Sequence, residues 1–239
     1  MVKAKSNLTR EINLTEELDS REIEVVETDI GDRILQLTNE KPSHPTGPVS
    51  HLTSYDISRY LSEYFKREVS PDSREIVKLI RGDILGYMEA AKIGITGVNA
   101  IAAEEGAILL LHNEGNILEV MLRPKKHIIV AGIDKIYPNL DEALNMAKLQ
   151  TFYATGELIT SFINIIGGLS KTMDIEKKLL KGVHAPKEIC LILLDNKRSE
   201  IIQHGFKELL YCIGCGACLL HCPVYNFVGN KFGNENSLG

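Results

Sequence analysis

No tryptophan occurs in this chain of 239 residues, and aromatic residues make up only 6% of it. Stacking platforms for nucleic-acid bases are therefore not expected. An excess of positive charge is missing too: 27 Lys and Arg stand against 32 Asp and Glu, a formal net charge of −5, and the isoelectric point is near 5.8. General nucleic-acid binding draws on clustered Lys and Arg, so no nucleic-acid partner is expected. No apolar stretch approaches the length a membrane span needs, which argues against a transmembrane segment. The opening Met1-Val2-Lys3-Ala4-Lys5-Ser6-Asn7 is basic but has no apolar segment behind it, unlike a signal peptide. Cysteine is scarce as well. There are five, four of them in one compact run, which fits a reducing cytoplasm better than a disulfide framework. What remains is 44% hydrophobic with mean hydropathy −0.04, enough for a globular core in one large domain or two small ones.

The scarce cysteines carry the strongest signal. Cys212, Cys215, Cys218 and Cys222 stand at spacing C-x2-C-x2-C-x3-C, and Pro223 follows directly. This is the bacterial-ferredoxin run for thiolate ligation of a [4Fe–4S] cluster. Three thiolates three residues apart let one tight loop wrap one cluster. Gly214 and Gly216 lie between them, where close backbone approach or φ > 0 favours glycine. Pro223 cannot extend a helix and turns the chain after Cys222. Zinc sites usually pair two C-x-x-C units across a longer spacer, and this run is too compact for that. The fourth ligand stays open. In two-cluster ferredoxins the fourth cysteine of such a run serves the other cluster, and no cysteine follows Cys222 here. Either Cys222 closes the cluster or the last ligand comes from elsewhere. Cys190, in the apolar run Glu188 to Leu194, is expected to be a buried strand residue rather than a ligand.

Apolar spacing predicts helices over 8–20, 30–37, 53–67, 72–92, 140–153, 156–166 and 198–210. It predicts strands over 22–27, 94–102, 107–111, 117–122, 127–131 and 188–194, with two Gly-containing turns in the centre suggesting an antiparallel meander. His127 to Ala131 is a nearly continuous apolar run, as in a strand covered on both faces. Lys41 to Pro48, with three prolines and a glycine, is a loop. Strands covered by helices make an α/β or α+β domain.

Other candidate chemistry is weaker. Glu104, Glu105 and Glu114 sit beside glycines, where a carboxylate can be a nucleophile, yet Asn113-Glu114-Gly115-Asn116 is also a good hairpin turn. His44 and His51 flank the proline-rich loop and either line a site or are solvated. Lys3 and Lys5 with Ser6 can meet an anion, although terminal residues are more often solvated. Arg123, Lys125 and Lys126 around Pro124 form a basic turn. Gly167-Gly168 lacks the flanks of a dinucleotide fingerprint, so no Rossmann cofactor site is expected.

Several separated motifs resemble one known family, in the family's order. Thr96-Gly97-Val98-Asn99-Ala100-Ile101-Ala102-Ala103-Glu104-Glu105-Gly106, followed by Asn113-Glu114-Gly115-Asn116, resembles the signature of the LUD (lactate-utilisation) domain. Glu24 to Gly31, Pro42-Ser43-His44, Ala154-Thr155-Gly156 and Asp195-Asn196-Lys197-Arg198 fit the same family. The join to the cysteine run is similar to the iron–sulfur subunit of the bacterial L-lactate oxidation complex. The resemblance implies an open α/β sheet covered by helices, similar to the ribose-phosphate isomerase and CoA-transferase-like group, with an appended helical ferredoxin-type segment. It divides the chain into a LUD-like domain over 1–205, N-terminally short for the family, a [4Fe–4S] segment over 206–228 and a disordered tail over 229–239. It implies a cytoplasmic electron-transfer subunit with the cluster on Cys212, Cys215, Cys218 and Cys222, and protein redox partners that are other subunits of a lactate-oxidising complex. The alternative is a LUD-domain enzyme acting on a small carboxylate or CoA ester, with a structural cluster.

Overall fold

A five-stranded parallel sheet and a four-stranded mixed sheet organise the protein, for which a computed structural model describes residues 1–233. The first third holds β1 (Val2–Lys3), α1 (Asn7–Glu11), α2 (Leu14–Asp19), β2 (Val26–Glu27), α3 (Ile30–Thr38), α4 (Ser54–Phe65) and α5 (Ser73–Ala90). The centre holds β3 (Ile93–Thr96), β4 (Ala100–Ala102), β5 (Ala107–His112), α6 (Asn116–Leu122), β6 (Lys126–Gly132), β7 (Ile136–Tyr137) and α7 (Leu140–Thr155). Then come β8 (Phe162–Ile166), β9 (Lys171–Thr172), β10 (Leu180–Lys181), β11 (Glu188–Leu194), α8 (Arg198–Gln203), α9 (Ala217–His221) and α10 (Pro223–Val228).

The large sheet runs β11-β6-β3-β1-β2, every neighbouring pair parallel. The small sheet runs β7-β4-β5-β8, with β5 antiparallel to both of its neighbours. The strands β9 and β10 form a separate antiparallel pair. The expected α/β class with an open, helix-covered parallel sheet is what the chain adopts.

The local reasons are legible. Thr53 caps α4 in a reciprocal capping box with Asp56, Asp72 caps α5, and Asn139 caps α7. Along α5, Ile76, Ile80, Ile84 and Met88 recur every fourth residue and are buried. They pack with Val2, Val26, Leu61, Val120 and Met121 into the main core between the helices and the large sheet. A second core is built almost entirely of alanine: Ala100, Ala102 and Ala107 with Leu109 against Ala143 and Ala147 of α7. Such small side chains let a helix lie close on a sheet.

Several expectations are corrected. The helix expected over 8–20 is two helices, broken where Asn13 takes a left-handed φ of 50°. The strand expected over 22–27 shortens to Val26–Glu27. Residues 117–122 form a helix, not a strand, and Asn113 to Asn116 leads into it rather than closing a hairpin. Gly115 at φ 80° starts that helix, and Ile117, Val120 and Met121 form its one buried face. Of the expected meander only the β4–β5 hairpin forms. Residues 162–166, expected as helix, are strand β8. Gly156 at φ 78° stops α7, and the β-branched run that follows pairs with β5. The helix expected over 198–210 ends at Gln203, Gly205 takes φ 81°, and Lys207–Tyr211 is a 3-10 turn. Cys190 is half-buried, not core, because β11 is the sheet's edge strand and Leu191, Ile192 and Leu193 beside it are exposed. In the tail expected over 229–239, Gly229–Lys231 is a 3-10 turn, and residues 234–239 lie outside the described residues.

Candidate functional site

In an open parallel sheet, ligands sit beyond the carboxyl ends of the strands, where the strand order reverses direction. Here that point lies between β1 and β3, since the chain leaves β1 towards β2 on one side and resumes at β3 on the other. A cleft of about 690 Å³ opens there. Lys5 and Ser6 follow β1 into it, Gly97 and Asn99 follow β3, and Gly132 ends β6 with Asp134 just beyond. Gly97 permits this, since a Cβ on it would lie 2.6 Å from Ser6 Oγ.

Charge in the cleft comes as interlocked pairs. Lys5 pairs with Asp29 at 2.8 Å and Arg10 with Asp32 at 3.0 Å. Arg198 is held by Glu11 and Asp134 together. Glu114 accepts the backbone N–H of Ile30 at 3.3 Å, and its pKa is pushed up to about 7, first by burial and then by the nearby charge of Asp29. Burial likewise lifts Asp32 to about 6, with Glu27 adding to the effect and Arg10 opposing it. Lys3, expected as solvated, is buried and paired with Glu27 at 2.8 Å. Glu104 and Glu105 lie exposed in the β4–β5 turn, outside the cleft.

The cysteine run covers one side of the same cleft. Cys212 and Cys218 are exposed and line it; Cys215 and Cys222 are half-buried. Between them Gly214 and Gly216 take φ of 71° and 77°, the conformation that only glycine adopts freely. Cys218 rides on α9, Cys222 ends it, and Pro223 stands in the first turn of α10. Among the described residues no three His, Cys, Asp or Glu side chains form a converged metal-ligand group.

Side chains of the α/β domain hold this segment by its carbonyl oxygens. Lys135 Nζ donates to Cys212 O at 3.2 Å and Gln150 Nε2 to Ile213 O at 2.8 Å. His44 is buried; its Nδ1 accepts the backbone N–H groups of Thr46 and Gly47, which leaves the proton on Nε2, 3.1 Å from Gly216 O. Further along, the Tyr225 hydroxyl donates to Ser43 O at 2.7 Å. Of the two histidines weighed from sequence, His44 therefore belongs to the site. His51 is half-buried, its inaccessible ring nitrogens without hydrogen-bond partners and Nε2 3.8 Å from Glu40. Sequence reasoning missed Lys135, Gln150, Arg10 and Asp134, because each acts through a partner distant in the chain and none belongs to a local motif. Asn99 and Arg198 stood inside quoted motifs without assigned roles.

A sequence model of the LUD domain matches residues 2–194. The chain is 36% identical over 229 residues to Lactate utilization protein B of Bacillus cytotoxicus, covering 96% of the chain and 46% of that protein. It is 35% identical, with the same coverage, to the proteins of that name from Bacillus cereus and Bacillus anthracis. The chain thus spans about half the length of the curated relatives it matches. Among solved structures, the crystal structure of a DUF162 family protein from Deinococcus radiodurans aligns with a TM-score of 0.32 and 22% identity over 45% of this chain and 56% of that one.

Proposed function

The chain belongs to the LUD-domain family, and from that premise we propose that it is an iron–sulfur electron-transfer unit of a system oxidising L-lactate to pyruvate. Cys212, Cys215, Cys218 and Cys222 would hold one [4Fe–4S] cluster, which supplies one-electron storage. The observation that carries this reading is the cysteine loop itself. Its four thiols have ferredoxin spacing, its turns rest on two left-handed glycines, and it is tied to the cleft of the domain. The segment over 206–228 would be the redox module and residues 1–205 its scaffold, of the ribose-phosphate isomerase and CoA-transferase-like group. Ligand thiols need a reducing compartment, so we assign the protein to the cytoplasm. Its partners would be the other protein subunits of the oxidising complex.

The rival reading, a LUD-domain enzyme acting on a small carboxylate or CoA ester, is supported by Glu114 in the cleft. A nucleophilic carboxylate must be ionised, however, and a pKa of about 7 leaves Glu114 about half protonated at neutral pH. Anaerobic purification with iron and sulfide analysis tests the leading reading. The expected result is about four irons per chain with a broad absorption band bleached by dithionite, abolished in Cys215→Ala and kept in Cys190→Ala. Stoichiometric zinc without a visible band would overturn it. In the same preparations Glu114→Gln should leave iron content unchanged.

A further inference from the structure

The cysteine loop is polarised. Its carbonyls at Cys212, Ile213 and Gly216 are each taken by a side chain of the LUD domain. Its backbone N–H groups from Ile213 to Gly216 have no acceptor among the described residues. Successive unpaired N–H groups in a turn with left-handed residues form a concavity that attracts anions, and iron–sulfur clusters use such concavities. In a trans peptide the N–H points opposite to the preceding carbonyl, so holding the Cys212, Ile213 and Gly216 carbonyls turns the N–H groups of Ile213, Gly214 and Ala217 away from the domain's donors.

The direction of each tie is fixed from within the domain. The N–H of Leu111 in β5 donates to Asn99 Oδ1 at 2.9 Å, Asn99 Nδ2 donates to Gln150 Oε1 at 2.8 Å, and so Gln150 has only its amide N–H left for Ile213 O. His44 is fixed in the same way by the two backbone donors at Nδ1. Lys135 is anchored by Asp134 at 3.1 Å, and Arg198 holds Asp134 in turn. Two of these three donors trace back to backbone N–H groups, so they cannot swap roles with the acceptors.

We propose that His44, Lys135 and Gln150 are positioning residues. They grip the loop by its carbonyls and present its N–H face to the anionic cluster. The proposal rests on the cluster reading above. It assigns to the LUD domain itself the task of shaping the cluster's surroundings.

The test uses the full chain with Gln150→Glu, which keeps the side chain's size but loses the donor, and His44→Ala. In the metal-free proteins, alkylation of the four run cysteines, followed by mass spectrometry, should be faster in both variants than in wild type, under conditions in which circular dichroism shows each variant folded. In the reconstituted proteins, loss of iron to a chelator should be about tenfold faster, and the midpoint potential should shift. His44→Gln, which retains an N–H donor, should recover part of the wild-type behaviour. Variants with wild-type alkylation rates, iron-loss rates and potential would overturn the proposal. A wild-type chain that takes up no iron would overturn the cluster reading instead, and the alkylation comparison would still decide whether the grip exists.

Discussion

Gly216 occupies a point where a larger residue has nowhere to go. A Cβ there would lie 2.4 Å from His44 Cε1 and Nε2 and 2.9 Å from Pro45 Cγ, at a φ of 77°. Gly216→Ala should therefore push the His44 ring off its carbonyl and cost about 1–3 kcal/mol through overpacking and backbone strain. Denaturant unfolding of the metal-free protein checks it, and an unchanged midpoint would mean that the loop and His44 are not in contact. The need for glycine at Gly214 and Gly216 was legible in the sequence, because the spacing leaves only a tight turn between successive cysteines. The identity of the obstacle at Gly216 was not. His44 lies 172 residues earlier, and a histidine in a proline-rich loop gives no local sign of its partner.

Among the elements, α6 shows where pattern reading fails and why. Seven residues, largely apolar, suit a short strand as well as two helical turns, and only the tertiary partner decides. That partner is β3. A Cβ on Gly94 would fall 2.0 Å from the Val120 carbonyl oxygen, so α6 lies directly on the strand. Gly94→Ala should force the two apart and lower stability by about 1–3 kcal/mol, read as a fall in melting temperature by circular dichroism. A neutral effect would contradict the close packing of α6 on β3. The longer helices were legible because their caps and four-residue apolar spacing agree, as in α4, α5 and α7. The end strands β8 and β11 were harder. An edge strand exposes apolar side chains, so burial inferred from hydrophobicity was overestimated at Cys190.

At the scale of the whole molecule, Glu114 at the surface of the cleft and the buried His127 set opposing responses to pH. Glu114 keeps its proton up to about 7 in the folded protein against an ordinary value of 4.5, so the folded state binds more protons between those values. Its contribution is fully present below pH 4.5 and is lost as pH rises towards 7. His127 acts in the other sense. Burial lowers its pKa from 6.5 to about 4, so stability is lost as pH falls through that interval. Glu114→Gln removes only the first response. Its melting temperature relative to wild type should rise steadily from about pH 5 to about pH 8, and a difference that stays flat over that range would show that Glu114 does not titrate as described. The pairing of Glu11 with Arg198, 187 residues apart, has a further consequence for biogenesis. A nascent chain emerges from its N-terminus, so Lys5, His44, Asn99, Lys135 and Gln150 leave the ribosome before the cysteines do. The receiving surface can fold first, and the loop then arrives at a finished mould.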